Sequence, residues 1–186
     1  DEKHLKQSIE RTQNWAKRSL SAFKKLKSKQ LMYGVIHGGT NKKLRIASAK
    51  FTDKYFDAIA LGGIYGTKDK MYQLIDYTLP QVSEGKIRHL LGIGEIEDLF
   101  EAVGRGIDMF DCVAPTRRAR NGSLYISPKS GGWRKNNFTF NISSSRFKMD
   151  KEPIDRNCGC YTCRNFSRAY LRHLYLSREI LFHQLA

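Results

Sequence analysis

The sequence predicts an α/β fold of parallel βα units that gives way to a β-rich, metal-binding segment. Three observations carry that expectation. Four short apolar runs, each closed by glycine or a polar residue, alternate with stretches of helical periodicity. Beyond residue 122 the periodicity shifts to two, with Pro128 and Gly131-Gly132 between the alternating segments. Three cysteines then crowd into Cys158–Cys163, a spacing that suits a metal better than a disulfide framework.

Residues 5–27 carry Leu5, Ile9, Ala16, Leu20 and Phe23 at helical intervals among lysines and arginines, which predicts an amphipathic basic helix. Leu31 to Ile36 reads as a buried strand ending in His37-Gly38-Gly39, and residues 41–51 as a helix. A second strand, Asp57 to Leu61, ends in Gly62-Gly63, and residues 67–80 are helical up to Pro80. A third strand, Ile87 to Ile93, closes at Gly94, and residues 95–104 are helical. The fourth strand, Ile107 to Phe110, runs into Asp111. Four such units fit half of a (β/α)8 barrel, and a doubly wound sheet fits the periodicity almost as well. Ser123–Ser127 and Phe138–Ile142 read as a hairpin with a long loop, and 166–185 as a last helix. The expected divisions are a barrel portion over 1–122, a β-rich zinc-binding insertion over 123–165 and a terminal helix over 166–186.

The chain has 186 residues and 40% hydrophobic content, enough for one sizeable core, with a formal net charge of +15. Such a balance is costly in self-repulsion unless a polyanion is the partner. From Cys112 to Met149 there is no acid, while Arg117, Arg118, Arg120, Lys129, Arg134, Lys135, Arg146 and Lys148 all lie there. A one-signed stretch of this kind points to nucleic-acid phosphate. No run approaches the ~20 apolar residues of a membrane helix. The start, Asp1-Glu-Lys-His, has neither an initiator Met nor signal-peptide features, so a piece of a longer cytoplasmic protein with no membrane partner is expected.

Asp111 is the candidate nucleophile. It is a lone carboxylate at the C-terminal end of a strand, followed by a loop with three arginines and no acid. The strand would fix the carboxylate while the loop admits a phosphate-bearing substrate. On chemistry alone a plainer reading stands beside it: Asp111 as a cap and the arginines as a solvated surface. In Cys158-Gly-Cys-Tyr-Thr-Cys163, Gly159 is expected to let three thiolates face one zinc ion, tetrahedral at about 2.3 Å per sulfur. His173 and His183 follow downstream, each equally explicable as an ordinary helix histidine. With no open coordination position or adjacent base evident, such a zinc is read as structural.

Several blocks resemble the tRNA-guanine transglycosylases, also called queuine tRNA-ribosyltransferases. They are Tyr33-Gly-Val-Ile-His-Gly-Gly39, Ala60-Leu-Gly-Gly63, Leu90-Leu-Gly-Ile-Gly94, Asp108-Met-Phe-Asp-Cys-Val-Ala-Pro-Thr-Arg117 and the long run Cys158 to His173. The resemblance covers nearly the whole chain and matches the C-terminal half of the family. It implies half of a (β/α)8 TIM barrel with an inserted zinc subdomain, and one structural zinc held by Cys158, Cys160, Cys163 and a histidine just beyond Ala186. It implies exchange of guanine at the tRNA wobble position for a 7-deazaguanine, with Asp111 forming a covalent ribose ester. For the base, the resemblance implies contacts from His37, Gly38, Gly62, Gly63, Gly66 and Leu91. The tRNA anticodon loop would meet Gly92, Ile93, Gly94, Glu95, Ile96, Glu97 and Asp98, together with Thr116, Arg117, Arg118, Ala119 and Arg120. The family further implies a homodimer formed partly around the zinc subdomain.

The chain also departs from the family. His37 stands where Gln is usual, and imidazole cannot match an amide's paired donor and acceptor. Bacterial members carry Val near Gly66 and Glu near Lys68. Loss of that carboxylate and the space at Gly66 favour queuine over its aminomethyl precursor. The aspartates that recognise the base belong to the other barrel half. Two further classes of function stand beside this one. A non-catalytic tRNA-binding paralogue has no use for the nucleophile Asp111. A zinc-bearing module without an RNA role leaves the acid-free stretch unexplained.

Overall fold

The computed structural model describes residues 2–63 and 66–186. These form two compact units. The first runs to Ile93 and includes Asp98–Cys112; the second joins Gly94–Glu97 to Val113–Ala186.

In the first unit, β1 (Tyr33–Ile36), β2 (Ala58–Leu61), β3 (Ile87–Leu91) and β4 (Met109–Asp111) form a parallel sheet in the order β1-β2-β3-β4. The order follows the sequence, without the reversal of a doubly wound sheet. The strands alternate with α1 (Glu2–Lys25), α2 (Lys42–Tyr55), α3 (Lys68–Thr78) and α4 (Ile96–Gly104), whose first two residues group with the second unit. Every residue of β2 is buried, as in a strand covered on both faces. Its Ile59 and Leu61 pack with Ile36, Ile75, Leu90 and Ala102 into one core. Asn41 caps α2 by accepting the Leu44 N–H at 3.1 Å, and Thr67 caps α3. α3 stops at Thr78, because Pro80 turns the chain into a 3-10 turn over Leu79–Gln81. Of the apolar side expected for the first helix, only Ile9 is buried.

The second unit holds α5 (Ala114–Arg120), the antiparallel pair β5 (Ser123–Tyr125) and β6 (Thr139–Asn141), then α6 (Tyr161–Asn165), α7 (Arg168–Leu176) and α8 (Ile180–Leu185). Leu124, Phe140, Ile142, Phe147, Leu171 and Phe182 form its core. Two expectations change here. The arginine-rich segment after Asp111 is a short helix instead of a loop. Pro115 sits in its first turn, where no N–H is needed, and Ala and Arg are good helix formers. It groups with the hairpin, not with the sheet. The single terminal helix is broken in two. Arg178 adopts φ 57°, its N–H donates to the Tyr175 carbonyl at 3.1 Å, and the Glu179 N–H donates to the Leu174 carbonyl at 3.0 Å. That is a Schellman closure with arginine where glycine is usual. Among the described residues no helix is long and apolar enough to cross a membrane.

Candidate active site and metal knuckle

The strand register builds the site. Ile36 lies beside Leu61, Leu61 beside Leu90, and Leu90 beside Phe110. The next residues, His37, Gly62, Leu91 and Asp111, therefore form a row at the C-terminal edge of the sheet. Three strand spacings of about 4.8 Å separate the ends of this row, roughly 14 Å. That is room for a flat heterocycle over the middle strands with Asp111 at one end.

The Asp111 side chain is 62% exposed. Its Oδ1 lies 2.9 Å from His89 Nε2 and 3.4 Å from the Gly92 N–H. His89 pairs with Met109 across β3 and β4, so it shares a face of the sheet with Asp111. Its imidazole is 17% exposed and stands edge-on to Tyr33 at 5.5 Å. The Tyr33 hydroxyl in turn meets Met109 Sδ at 3.1 Å. Sequence reading had passed over His89. The signal was available only to an argument that places the third strand beside the fourth and counts two residues back from Leu91.

Arg45 was missed as well. Arg45 is fully buried, and its guanidinium is held by backbone carbonyls. Nε donates to the Gly39 carbonyl at 3.0 Å, and Nη2 to the Gly62 and Gly63 carbonyls at 3.2 and 3.1 Å. One side chain thus ties the loop after β1 to the loop after β2. Gly38 has φ 139°, and a Cβ there would stand 2.7 Å from the Arg45 backbone, so the close approach requires glycine. His37 donates its backbone N–H to Ser48 Oγ at 3.1 Å. Burial, and then the Arg45 charge, hold its imidazole below the ordinary histidine pKa, so at neutral pH it carries one donor and one acceptor. Gly62 and Leu91 stand beside it: a Cβ on Gly62 would lie 3.4 Å from Leu91 and 3.6 Å from the His37 ring. Gly66 has φ 118°, while Ile64 and Tyr65 of the same loop lie outside the described residues.

The expected RNA-facing residues divide between the units. Gly92, Ile93 and Asp98 belong to the first; Gly94, Glu95, Ile96 and Glu97 group with Thr116, Arg117, Arg118, Ala119 and Arg120 in the second. Glu95 pairs with Arg118 at 2.5 Å and Glu97 with Arg134, which neutralises the acids of that segment. Asp98 differs from its neighbours. It is buried, accepts from the Tyr72 hydroxyl at 2.7 Å and meets Lys68 at 3.1 Å. Burial and Asp98 together push the Tyr72 hydroxyl up to about 12. A buried carboxylate engaged in this way suits support of α4, not contact with a polyanion.

In the second unit the sulfurs of Cys158, Cys160 and Cys163 lie within 4.8 Å of one another. Tetrahedral zinc would bring them to about 3.8 Å, so the cluster fits the ion after a small inward shift. Cys160 caps α6, and the Cys163 N–H at 3.5 Å holds its thiol below the ordinary value. Gly159 does less than expected. It has no positive φ, and a Cβ there would meet only the flexible Arg164 guanidinium at 3.1 Å. Thr162 Oγ1 donates to the Leu185 carbonyl at 2.7 Å, fastening the last helix to the knuckle. His183 lines the same cavity of about 560 Å³ as the three cysteines but stands outside the sulfur cluster.

The profile of the family described as queuine tRNA-ribosyltransferase matches residues 1–186. A putative queuine tRNA-ribosyltransferase of Archaeoglobus fulgidus is 44% identical over 188 residues, covering 100% of this chain and 46% of that protein. The queuine tRNA-ribosyltransferase of Buchnera aphidicola is 45% identical over 97% of the chain and 48% of that protein. That of Actinobacillus pleuropneumoniae is 42% identical over 96% of the chain and 45% of that protein. The chain spans about half the length of these curated relatives. With the whole length matched by one profile, the chain belongs to the queuine tRNA-ribosyltransferase family.

Proposed function

We propose that the chain is the catalytic half of a tRNA-guanine transglycosylase that replaces guanine at the anticodon wobble position with a 7-deazaguanine. The observation that carries this reading is the exposed Asp111 carboxylate at the open edge of a parallel sheet, steadied on one oxygen by His89 and the Gly92 N–H. The other oxygen is left for the ribose. It attacks C1′ as the bond to guanine breaks, and guanine departs with the bonding pair and takes up a proton. A carboxylate suits this centre because positive charge develops on the sugar, as in retaining glycosidases. The incoming base, deprotonated at the attacking nitrogen, then forms its bond to C1′ and releases Asp111. For the enzyme to reach C1′, the wobble base must leave its stack.

In this reading His37, Gly38, Gly62, Gly63, Gly66 and Leu91 line the base. Gly92–Glu97 and Thr116–Arg120 meet the anticodon loop, with Asp98 supporting α4. The in-sequence strand order supports a (β/α)8 barrel completed by a second half. Cys158, Cys160 and Cys163 would hold one zinc, which supplies structural cross-linking and takes no part in the exchange. A fourth, histidine ligand beyond Ala186 and a homodimer are read from the family, as is a cytoplasmic setting. Gly66 leaves room beside the base, and Lys68 with its partner Asp98 offers no free carboxylate to an aminomethyl cation. Both features favour queuine.

The test is base exchange by the intact protein on unmodified tRNA, with labelled queuine and, separately, its aminomethyl precursor. Entry of queuine alone is expected. Entry of the precursor would remove the specificity argument and keep the reaction. Entry of neither would bring forward a non-catalytic tRNA-binding member of the family.

A further inference from the structure

The loop between β5 and β6 carries the most exposed tryptophan of the chain on a backbone with little freedom. Trp133 is 63% exposed. Its carbonyl accepts the Asn136 and Phe138 N–H groups at 3.1 and 3.0 Å, and its own N–H donates to Asn136 Oδ1 at 2.8 Å. Asn137 and Phe138 both take left-handed conformations, at φ 51° and 55°. Two successive non-glycine residues there are uncommon and persist only when the surroundings over-determine them. Gly132 lies so close to the preceding chain that a Cβ would stand 2.2 Å from the Ile126 carbonyl oxygen. Beneath the loop the buried Asp155 carboxylate accepts the Ser127 N–H at 2.5 Å, the Ser130 hydroxyl at 2.6 Å and the Asn157 N–H at 2.8 Å. So many restraints fix a loop whose largest side chain contributes little to the core.

The surroundings of Trp133 select the partner. Lys129, Arg134 and Lys135 are exposed on the same loop, within the stretch that lacks acids altogether. Arg134 pairs with Glu97 and Arg118 with Glu95, so the loop, segment 94–97 and α5 are joined by ion pairs. An indole held rigidly among cations suits an unpaired base stacked on the ring, with phosphates on the lysines. A protein interface would instead bury the ring in a core depleted of charge.

We propose that Trp133 is a base-stacking contact for an unpaired nucleotide of the bound RNA, with Lys129 and Lys135 meeting its phosphates. The inference rests on the tRNA-modifying reading above and adds an RNA contact outside the residues assigned to the wobble region. It is tested by measuring tRNA affinity at several salt concentrations for the intact wild type, Trp133→Ala, Trp133→Phe, Lys135→Ala and, as reference, Arg117→Ala. Trp133→Ala is expected to bind about tenfold more weakly, with its salt dependence and melting temperature close to wild type. Trp133→Phe keeps most of the affinity. Lys135→Ala lowers the salt slope by about one. Wild-type affinity in Trp133→Ala, beside a loss in Arg117→Ala, would overturn the inference and leave the tRNA reading standing. Loss of self-association with intact tRNA affinity would reassign the loop to a protein contact and overturn it too. Absence of tRNA binding by the wild type would overturn both readings.

Discussion

At the scale of single residues, Asp111 depends on what lies beside it. A 62% exposed carboxylate on a strand end is free to rotate unless something holds it. His89 at 2.9 Å and the Gly92 amide do so. Replacing His89 with Phe keeps a ring against Tyr33 and removes the hydrogen bond. A hydrogen bond to a charged group contributes about 1.5–3 kcal/mol. The expected outcome is a turnover number about tenfold or more below wild type, with tRNA affinity nearly unchanged, measured by single-turnover exchange and equilibrium binding. Equal losses in both would make His89 a residue of the fold alone. The place of Asp111 at a strand end was legible in the sequence because a lone acid after an apolar run, before several arginines, is a local pattern. His89 and Arg45 were not, for different reasons. The His89 contact exists only once β3 and β4 are laid side by side. Arg45 reads as one more polar residue of a surface helix, and only the folded chain shows its guanidinium buried against three carbonyls.

At the scale of elements, helix ends followed local chemistry that can be named. Pro80 stopped α3, and Asn41 and Thr67 opened the helices they precede. The break between α7 and α8 carried no such signal, because Arg178 takes the left-handed turn that sequence reading assigns to glycine. That conformation costs an L-residue roughly 1–2 kcal/mol. Arg178→Gly should therefore raise the unfolding free energy of the protein by about 1 kcal/mol, read from the midpoint of urea denaturation. A variant no more stable than wild type would mean that the arginine side chain offsets the strain through its own contacts. The helical state of Ala114–Arg120 was also passed over. Three arginines drew attention to charge, while the helix-forming tendency of Ala and Arg after a first-turn proline was the better guide to backbone.

At the scale of the whole molecule, the sequence reads as a barrel portion over 1–122, a zinc-binding insertion over 123–165 and a terminal helix over 166–186. The described structure divides at Val113, with Gly94–Glu97 drawn to the second unit. Such a division arises from contacts distant in sequence, which periodicity does not report. The second unit keeps its terminal helices through one apolar core and through the knuckle, to which Thr162 and Leu185 attach α8. Metal analysis of the purified intact protein should give about one zinc per chain, and chelation should lower the melting temperature of the second unit. Cys163→Ser should lose the metal. A metal-free protein with unaltered melting would contradict the structural role of the cluster.

Under the proposed function, Asp111 carries the ribose of the tRNA. The most direct measurement of that role is the amount of denaturant-stable protein–RNA complex formed by the intact wild type and by Asp111→Asn, at equal occupancy of bound tRNA. A covalent complex is expected in the wild type and none in Asp111→Asn, with non-covalent affinity largely retained. An undiminished covalent complex in Asp111→Asn would contradict that role and move the nucleophile elsewhere.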